Sequence, residues 1–210
     1  MYVKYRMTAK PFTVSPEATI AETLELMRTK HFRRVPVVKD GKLVGIITER
    51  QLLEVSPSPA TTLSVFEINY LLSKTLIGSI MSKNVVTVTS ETLLEEAALL
   101  MREHDVGGLP VVDNGKLVGI ITETDIFDSF IEIMGFRDPG SRIAIEIEED
   151  RPGVLAKLSG IIAGFDLNIT HLAVYRNELI IRLNSLNVEE IVKDLQKNGF
   201  NVLSVTSNKL

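Results

Sequence analysis

The sequence predicts an α+β chain in which one β-α-β-β-α unit stands twice and a different β-α-β-β-α-β unit follows. Three observations carry this. The stretch PVVKDGKLVGIITERQ at residues 36–51 returns without a gap as PVVDNGKLVGIITETD at residues 110–125, identical at twelve of sixteen positions. The same offset of 74 carries Met7 to Met81, Met27 to Met101, Gly45 to Gly119 and Thr48 to Thr122, so a whole unit is duplicated. After the Gly- and Pro-bearing run GFRDPGS the apolar period changes, and the last third shares nothing with the repeats.

Each repeat opens on a short extended segment, 12–14 or 86–88, and then on a helix start, with Ser15 ahead of Pro16 or Ser90 as candidate caps. Ile20, Leu24 and Met27 recur at helical spacing, matched by Leu94, Ala98 and Met101. Two apolar strands follow, VPVV with LVGII and LPVV with LVGII. The turns between them are Asp-Gly and Asn-Gly, which suit the left-handed conformations of tight hairpins. A second helix begins at each Thr-Glu pair. One such unit is too small to bury a good core, so two copies are expected to pack face to face as a pseudo-twofold pair. The predicted boundaries are 1–55 and 77–135, with 56–76 as a helical spacer whose apolar face is Phe66, Tyr70 and Leu71.

The third unit is placed at 142–210. Ile143, Ile145 and Ile147 alternate with polar residues as a half-buried strand does. A helix capped by Asp150 presents Val154, Leu155, Leu158, Ile161 and Ile162. Strands follow at 169–175 and through Leu179, Ile181 and Leu183. A helix through Val188, Ile191, Val192 and Leu195 stops at Gly199, and a strand through Val202, Leu203 and Val205 ends the unit. This order is ferredoxin-like.

Composition narrows the function. A net charge of -4 and a pI near 5.5 give no electrostatic footprint for nucleic acid or an anionic membrane. No uncharged apolar run approaches the length of a membrane span, and MYVKYRMTAK lacks the apolar core of a signal peptide, so a cytoplasmic protein is expected. Without cysteine there is no disulfide, thiol chemistry or sulfur-ligated metal. His31, His104 and His171 are scattered, no metal site is predicted, and no catalytic motif stands out, so no enzyme and no required cofactor are expected.

Two units of this order, each closing on G-I-I-T-E, resemble a tandem pair of CBS domains over roughly residues 1–135. The resemblance implies adenosine-containing ligands in clefts between the halves, the ribose held by a Thr/Ser-x-x-Asp at the strand-to-helix turn. An ionised carboxylate is a strong paired acceptor for a vicinal diol. Repeat 2 has the full pattern in Thr122 and Asp125, whereas repeat 1 has Thr48 and Gln51, a neutral acceptor on a longer arm. Carried over, the main cleft is lined by Tyr5, Lys10, Phe32, Arg33, Gly107, Gly108, Thr122 and Asp125. The second, weaker cleft takes Arg34, Thr48, Gln51, Ser79 and Asn84.

Asp is equally a favoured helix cap, so a purely structural Asp125 is the alternative. Basic residues that hold phosphate in the family lie just before the x-Pro of the strand. Repeat 1 has Arg33 and Arg34 there, repeat 2 Gly107 and Gly108. With only Lys10 and Arg33 reaching in, the main cleft is expected to favour adenosine, AMP or an S-adenosyl compound over ATP.

The run Asp150-Arg151-Pro152-Gly153-Val154-Leu155, with Asn168-Ile169 beyond it, resembles an ACT domain over about 142–210. That resemblance implies an amino-acid-like effector at Asp150, Arg151, Gly153 and Asn168, where helix N–H groups suit a carboxylate. The same residues also read as an ordinary capped turn. The full order, two repeats, a spacer and an ACT-like unit, is similar to the acetoin-utilisation family of regulatory proteins. The resemblance implies a ligand-sensing regulator, a homodimer and an unknown regulated partner. The alternative is a structural adaptor with vestigial clefts.

Overall fold

The computed structural model of the chain describes residues 1–56, 62–147 and 151–209. By its contacts the chain divides into two compact units, Met1–Ile126 and Phe127–Leu210, the boundary falling inside one helix.

In the first unit the two repeats match element for element. Helix α1 (Ile20–Lys30) is followed by strands β2 (Arg34–Lys39) and β3 (Lys42–Thr48) and by α2 (Glu49–Glu54). Helix α5 (Leu94–Glu103) is followed by β4 (Gly108–Asp113), β5 (Lys116–Thr122) and α6 (Glu123–Ile133). Both hairpins turn on positive-φ pairs, Asp40-Gly41 at 50° and 74° and Asn114-Gly115 at 50° and 75°, the conformations that Asn and Gly tolerate best. Both carry a bulge at one position, after Val37 and after Val111.

The helix starts differ from expectation. Thr19, not Ser15, caps α1: its hydroxyl accepts the Glu22 N–H while the Glu22 carboxylate accepts the Thr19 N–H. Thr19-x-x-Glu22 satisfies two end groups reciprocally, which Ser15-Pro16 does not. Ser15 instead accepts the Glu17 N–H in a turn, and Ser90 donates its N–H to Asp113. On α5 the buried stripe is Leu94, Ala97 and Met101, with Ala98 only half-buried.

The openings of the repeats are exchanged. Strand β1 (Thr8–Ala9) pairs antiparallel with β5 of repeat 2, Thr8 opposite Ile120 and Ala9 opposite Gly119. Val3, fully buried, joins Leu94, Ala97, Leu109, Val111 and Ile121 in the core of repeat 2. Reciprocally, helix α4 (Ile77–Ile80) puts Ile77 among Ile20, Leu24, Val35 and Ile47 of repeat 1, and Ser82 bridges to Ile46. Gly45 and Gly119 lack the Cβ that would collide with the Met81 and Met7 sulfurs. Between the repeats, α3 (Val65–Lys74) is capped by Ser64 and Glu67 and has no buried residue. Part of the predicted spacer, residues 57–61, lies outside the described residues.

The second unit has the predicted order. An antiparallel sheet runs β7 (Ile169–Tyr175), β8 (Glu178–Leu183), β6 (Gly140–Glu146), β9 (Asn201–Asn208). Helices α7 (Val154–Ala163) and α8 (Glu189–Lys197) cover one face, burying Ile143, Ile145, Leu158, Ile162, Ile181 and Leu195. Leu155, expected inside, is exposed. Asp150, expected to cap α7, lies outside the described residues. The residue at the cap position is Gly153 in a left-handed conformation, with no side-chain cap.

Candidate functional site

Where β5 ends and α6 begins, Thr122 and Asp125 cap the helix reciprocally. The Thr122 N–H and Oγ1–H donate to Asp125 Oδ2 at 2.8 and 2.7 Å, and the Asp125 N–H donates to Thr122 Oγ1 at 3.4 Å. This fixes the carboxylate at the positive end of the helix, beside a cavity of about 610 Å³. That volume lies in the range of small-molecule pockets.

Three stretches form its walls: Thr8, Ala9, Lys10, Pro11 and Phe12 from the exchanged opening segment; His31, Phe32, Arg33, Arg34 and Pro36 between α1 and β2; and Gly107, Ile120, Thr122, Glu123, Thr124 and Asp125 of repeat 2. The pocket is two-faced. Phe12 and Phe32 lie 5.5 Å apart, tilted at 43°, and with Pro11 make an apolar wall. Lys10, Arg33, Arg34, Glu123 and Asp125 make the polar one. Lys10 and His31 hold left-handed φ values of 50° and 57°, His31 as the residue that ends α1.

Arg34 departs from expectation. Sequence reasoning assigned it to the cleft of Gln51, but it lies over Gly107 and Gly108 in the cavity of Asp125. A Cβ on Gly107 would fall 2.6 Å from Arg34 Nη2 and 2.7 Å from Glu123 Oε2, and one on Gly108 would fall 2.7 Å from Arg34 Nη1. The glycines therefore make room for an arginine from the other repeat. Burial pushes the Arg34 guanidinium below its ordinary pKa, the Glu123 carboxylate raises it and Arg33 lowers it further; arginine stays charged throughout. The premise that only Lys10 and Arg33 bring positive charge to this cleft does not hold.

Of the other expected residues, Lys10, Phe32, Arg33, Gly107, Thr122 and Asp125 come together in the cavity. Tyr5 does not; it is exposed, 6.4 Å from Tyr2, with Lys4 against its ring. Gly108 stands behind Arg34 rather than in the wall. Phe12, His31 and Glu123 were missed. The second Thr-Glu pair was the signal for Glu123, and Phe12 had none beyond its place before a strand.

At the equivalent turn of repeat 1, the Thr48 N–H and Oγ1–H donate to Gln51 Oε1, both at 3.0 Å, and Gln51 Nε2 donates to Ser82 Oγ at 2.9 Å. Both ends of that amide are engaged by the protein. Ser79 donates to the Leu76 carbonyl within its own helical turn, and Asn84 is exposed in a bend.

In the second unit Asp150 is not described, Arg151 and Gly153 precede α7, and the Asn168 N–H donates to Asn184 Oδ1 at 3.0 Å. Among the described residues, no acidic or histidine cluster is placed to hold a metal, and no helix is long and apolar enough to cross a membrane.

The solved structures similar to this chain include an acetoin utilization protein (AcuB) from Vibrio cholerae, 31% identical with a TM-score of 0.54, covering 66% of this chain and 96% of that one. CBSX2 in complex with AMP is 31% identical with a TM-score of 0.53, over 63% of this chain and 97% of that one. The CBS domain pair of protein MJ0100, in complex with 5′-methylthioadenosine and S-adenosyl-L-methionine, is 29% identical with a TM-score of 0.52, over 62% and 99%. The CBS domain family model matches residues 3–58 and 77–132, which is the duplication read from the sequence. The chain belongs to the CBS-domain family.

Proposed function

We propose that this chain is a ligand-sensing regulatory protein that binds an adenosyl ligand in the cavity at Asp125. The observation that carries it is the two-faced pocket. Phe12 and Phe32 offer a flat base an apolar wall, and Asp125, pinned at the start of α6, faces the same space as an acceptor for ribose hydroxyls. The likeness to CBS pairs solved with AMP and with S-adenosyl compounds supports the ligand class. On this reading the protein is no enzyme and needs no cofactor. Its output passes to a regulated partner of unknown identity, in a pathway for which the AcuB likeness favours acetoin use. The second unit serves as an ACT-type domain, with Arg151, Gly153 and Asn168, and Asp150 outside the described residues, receiving an amino-acid-like effector. The engaged Gln51 amide favours a second reading for its own cleft alone, that of a vestigial site.

The test is mass spectrometry of small molecules carried through purification, with a thermal-shift panel of adenosine compounds and amino acids. A specific ligand raises the melting temperature by linkage. No shift with any adenosine compound at millimolar concentration would leave the structural adaptor as the better reading.

A further inference from the structure

Each repeat is pinned by a methionine to a glycine of the other. Met7 and Met81 are the same position, 74 residues apart. Each closes a turn on the buried residue four before it. The Met7 N–H donates to the Val3 carbonyl at 2.8 Å, and the Met81 N–H donates to that of Ile77 at 2.9 Å. Val3 lies in the core of repeat 2 and Ile77 in that of repeat 1. The two side chains then lie on Gly119 of β5 and Gly45 of β3. A Cβ at either glycine would meet the methionine Cγ at 3.0 Å and crowd its sulfur. Just beyond each methionine the chain pairs with that same strand, Thr8 with Ile120 and Ser82 with Ile46.

Chemistry singles these side chains out. The chain has neither cysteine nor tryptophan, so its thioethers are its most readily oxidised groups. Met27 and Met101 are buried, at 1% and 3% exposure, whereas Met7 and Met81 are half-buried and solvent reaches part of each. A hydroperoxide transfers one oxygen to such a sulfur. The sulfur lone pair attacks the peroxide oxygen, the O–O bond breaks, and an alcohol or water departs. Sulfur loses two electrons and the peroxide gains them. The product carries a strongly polar S–O bond where an apolar sulfur lay on glycine. The backbone oxygens nearest those points, of Thr8 and Ser82, are acceptors and offer the new oxygen no hydrogen bond.

We propose that Met7 and Met81 are paired oxidation sites, at which a hydroperoxide turns the thioether into the sulfoxide and lifts the opening segment of each repeat off the strand of the other. The two events have different consequences. Residues 8–10, next to Met7, form a wall of the cavity at Asp125. Oxidation at Met7 therefore opens that cavity and weakens its hold on a ligand. Ser82, next to Met81, accepts from the Gln51 amide, so oxidation at Met81 frees that amide instead. Only the ligand arm of the test rests on the adenosyl reading of the site.

Hydrogen peroxide at low millimolar concentration, applied to the folded full chain, is the probe. Mass mapping should find one added oxygen on Met7 and one on Met81 while Met27 and Met101 stay reduced. Hydrogen exchange over residues 3–10 and 77–82 should then quicken about tenfold, and AMP should bind about fivefold more weakly. Met7→Leu, close in volume and without sulfur, should keep residues 3–10 protected and AMP affinity unchanged under peroxide, while residues 77–82 still loosen. Met7 and Met81 oxidising no faster than Met27 and Met101 overturns the inference. So does unchanged exchange in the doubly oxidised chain, or equal loosening of residues 3–10 in peroxide-treated Met7→Leu. Should Met7→Leu not fold, the first two results, read on the unmodified chain, still decide. If AMP binds neither the reduced nor the oxidised chain, the adenosyl reading falls and the exchange result alone decides this one.

Discussion

Arg34 and Gly108 are the same position of the two repeats, 74 residues apart in sequence, and in the folded chain they lie against each other. The side chain that repeat 1 has and repeat 2 lacks fills the space between them. A second arginine would have to displace the first, since even a methyl group at residue 108 would meet Arg34 Nη1 at 2.7 Å. The duplicated halves have thus become unequal at a point where a second side chain would crowd the first.

Gly108→Ala should therefore destabilise the first unit. The added Cβ meets Arg34 Cδ at 3.0 Å and the Ile121 backbone oxygen at 3.1 Å, and the strand cannot move aside freely. Overpacking of this kind costs about 1–3 kcal/mol. Gly160→Ala makes the contrast: it lies exposed in α7 with nothing within 4 Å of the new Cβ, and should stabilise by about 0.5–1 kcal/mol. Urea denaturation of both variants decides the signs. A neutral Gly108→Ala would mean that Arg34 moves out without cost.

Asp125→Asn separates the two roles of that residue. The amide oxygen still accepts from Thr122, so the cap persists, but the charge that strengthens hydrogen bonds to a diol is gone. AMP affinity should fall on the order of tenfold, about 1.4 kcal/mol, while the melting temperature of the free protein shifts little. A large drop in melting temperature with unchanged affinity would make Asp125 a cap only.

Asp113 should make stability depend on pH in the acid range. Its carboxylate accepts the Ser90 N–H at 3.0 Å, and that hydrogen bond holds its pKa below the ordinary 3.8. The unfolded chain therefore binds the proton more tightly than the folded one. The stabilisation is complete above the ordinary value and is lost as pH falls through the lower folded one. Urea melts should show Asp113→Ala less stable than the unmodified chain at pH 7, with the gap closing below pH 3.8. A gap that stays constant down to strong acid would place the effect in packing, not charge.

The chain should be a homodimer in solution. Helix α3 buries no residue and exposes Phe66 at 87% and Val65 at 71%, and α6 exposes Phe127 and Phe130. Apolar surface of this extent on helix faces commonly marks an association site. Light scattering should return twice the mass of the 23.3 kDa chain at micromolar concentration. The mass of a single chain would refute it.

Much of the fold was legible because its signals are local. Asp40-Gly41 and Asn114-Gly115 announce their hairpins, and the alternation of Ile143, Ile145 and Ile147 announces a strand. The start of α1 was misplaced because Ser-Pro and Thr-x-x-Glu are both start signals, and only the second closes reciprocally. The exchange of opening segments was invisible: a two-residue strand has no period, and its partner lies more than a hundred residues away. Arg34 was assigned to the wrong cleft for the same reason. Its side chain follows space left by Gly107 and Gly108, and space is a property of the assembled pair.

The exchanged opening strand also bears on when folding can finish. Residues 8 and 9 leave the ribosome more than a hundred residues ahead of their partners Ile120 and Gly119. At about 5–20 residues per second, that wait is roughly 5–20 seconds. Repeat 1 meanwhile lacks Ile77 and Ser82, which emerge later than its own hairpin. Repeat 1 cannot close its core as it is made, so the first unit matures only when nearly all of both repeats is out, and a chain stalled between them presents an unpaired opening strand and an unfinished core.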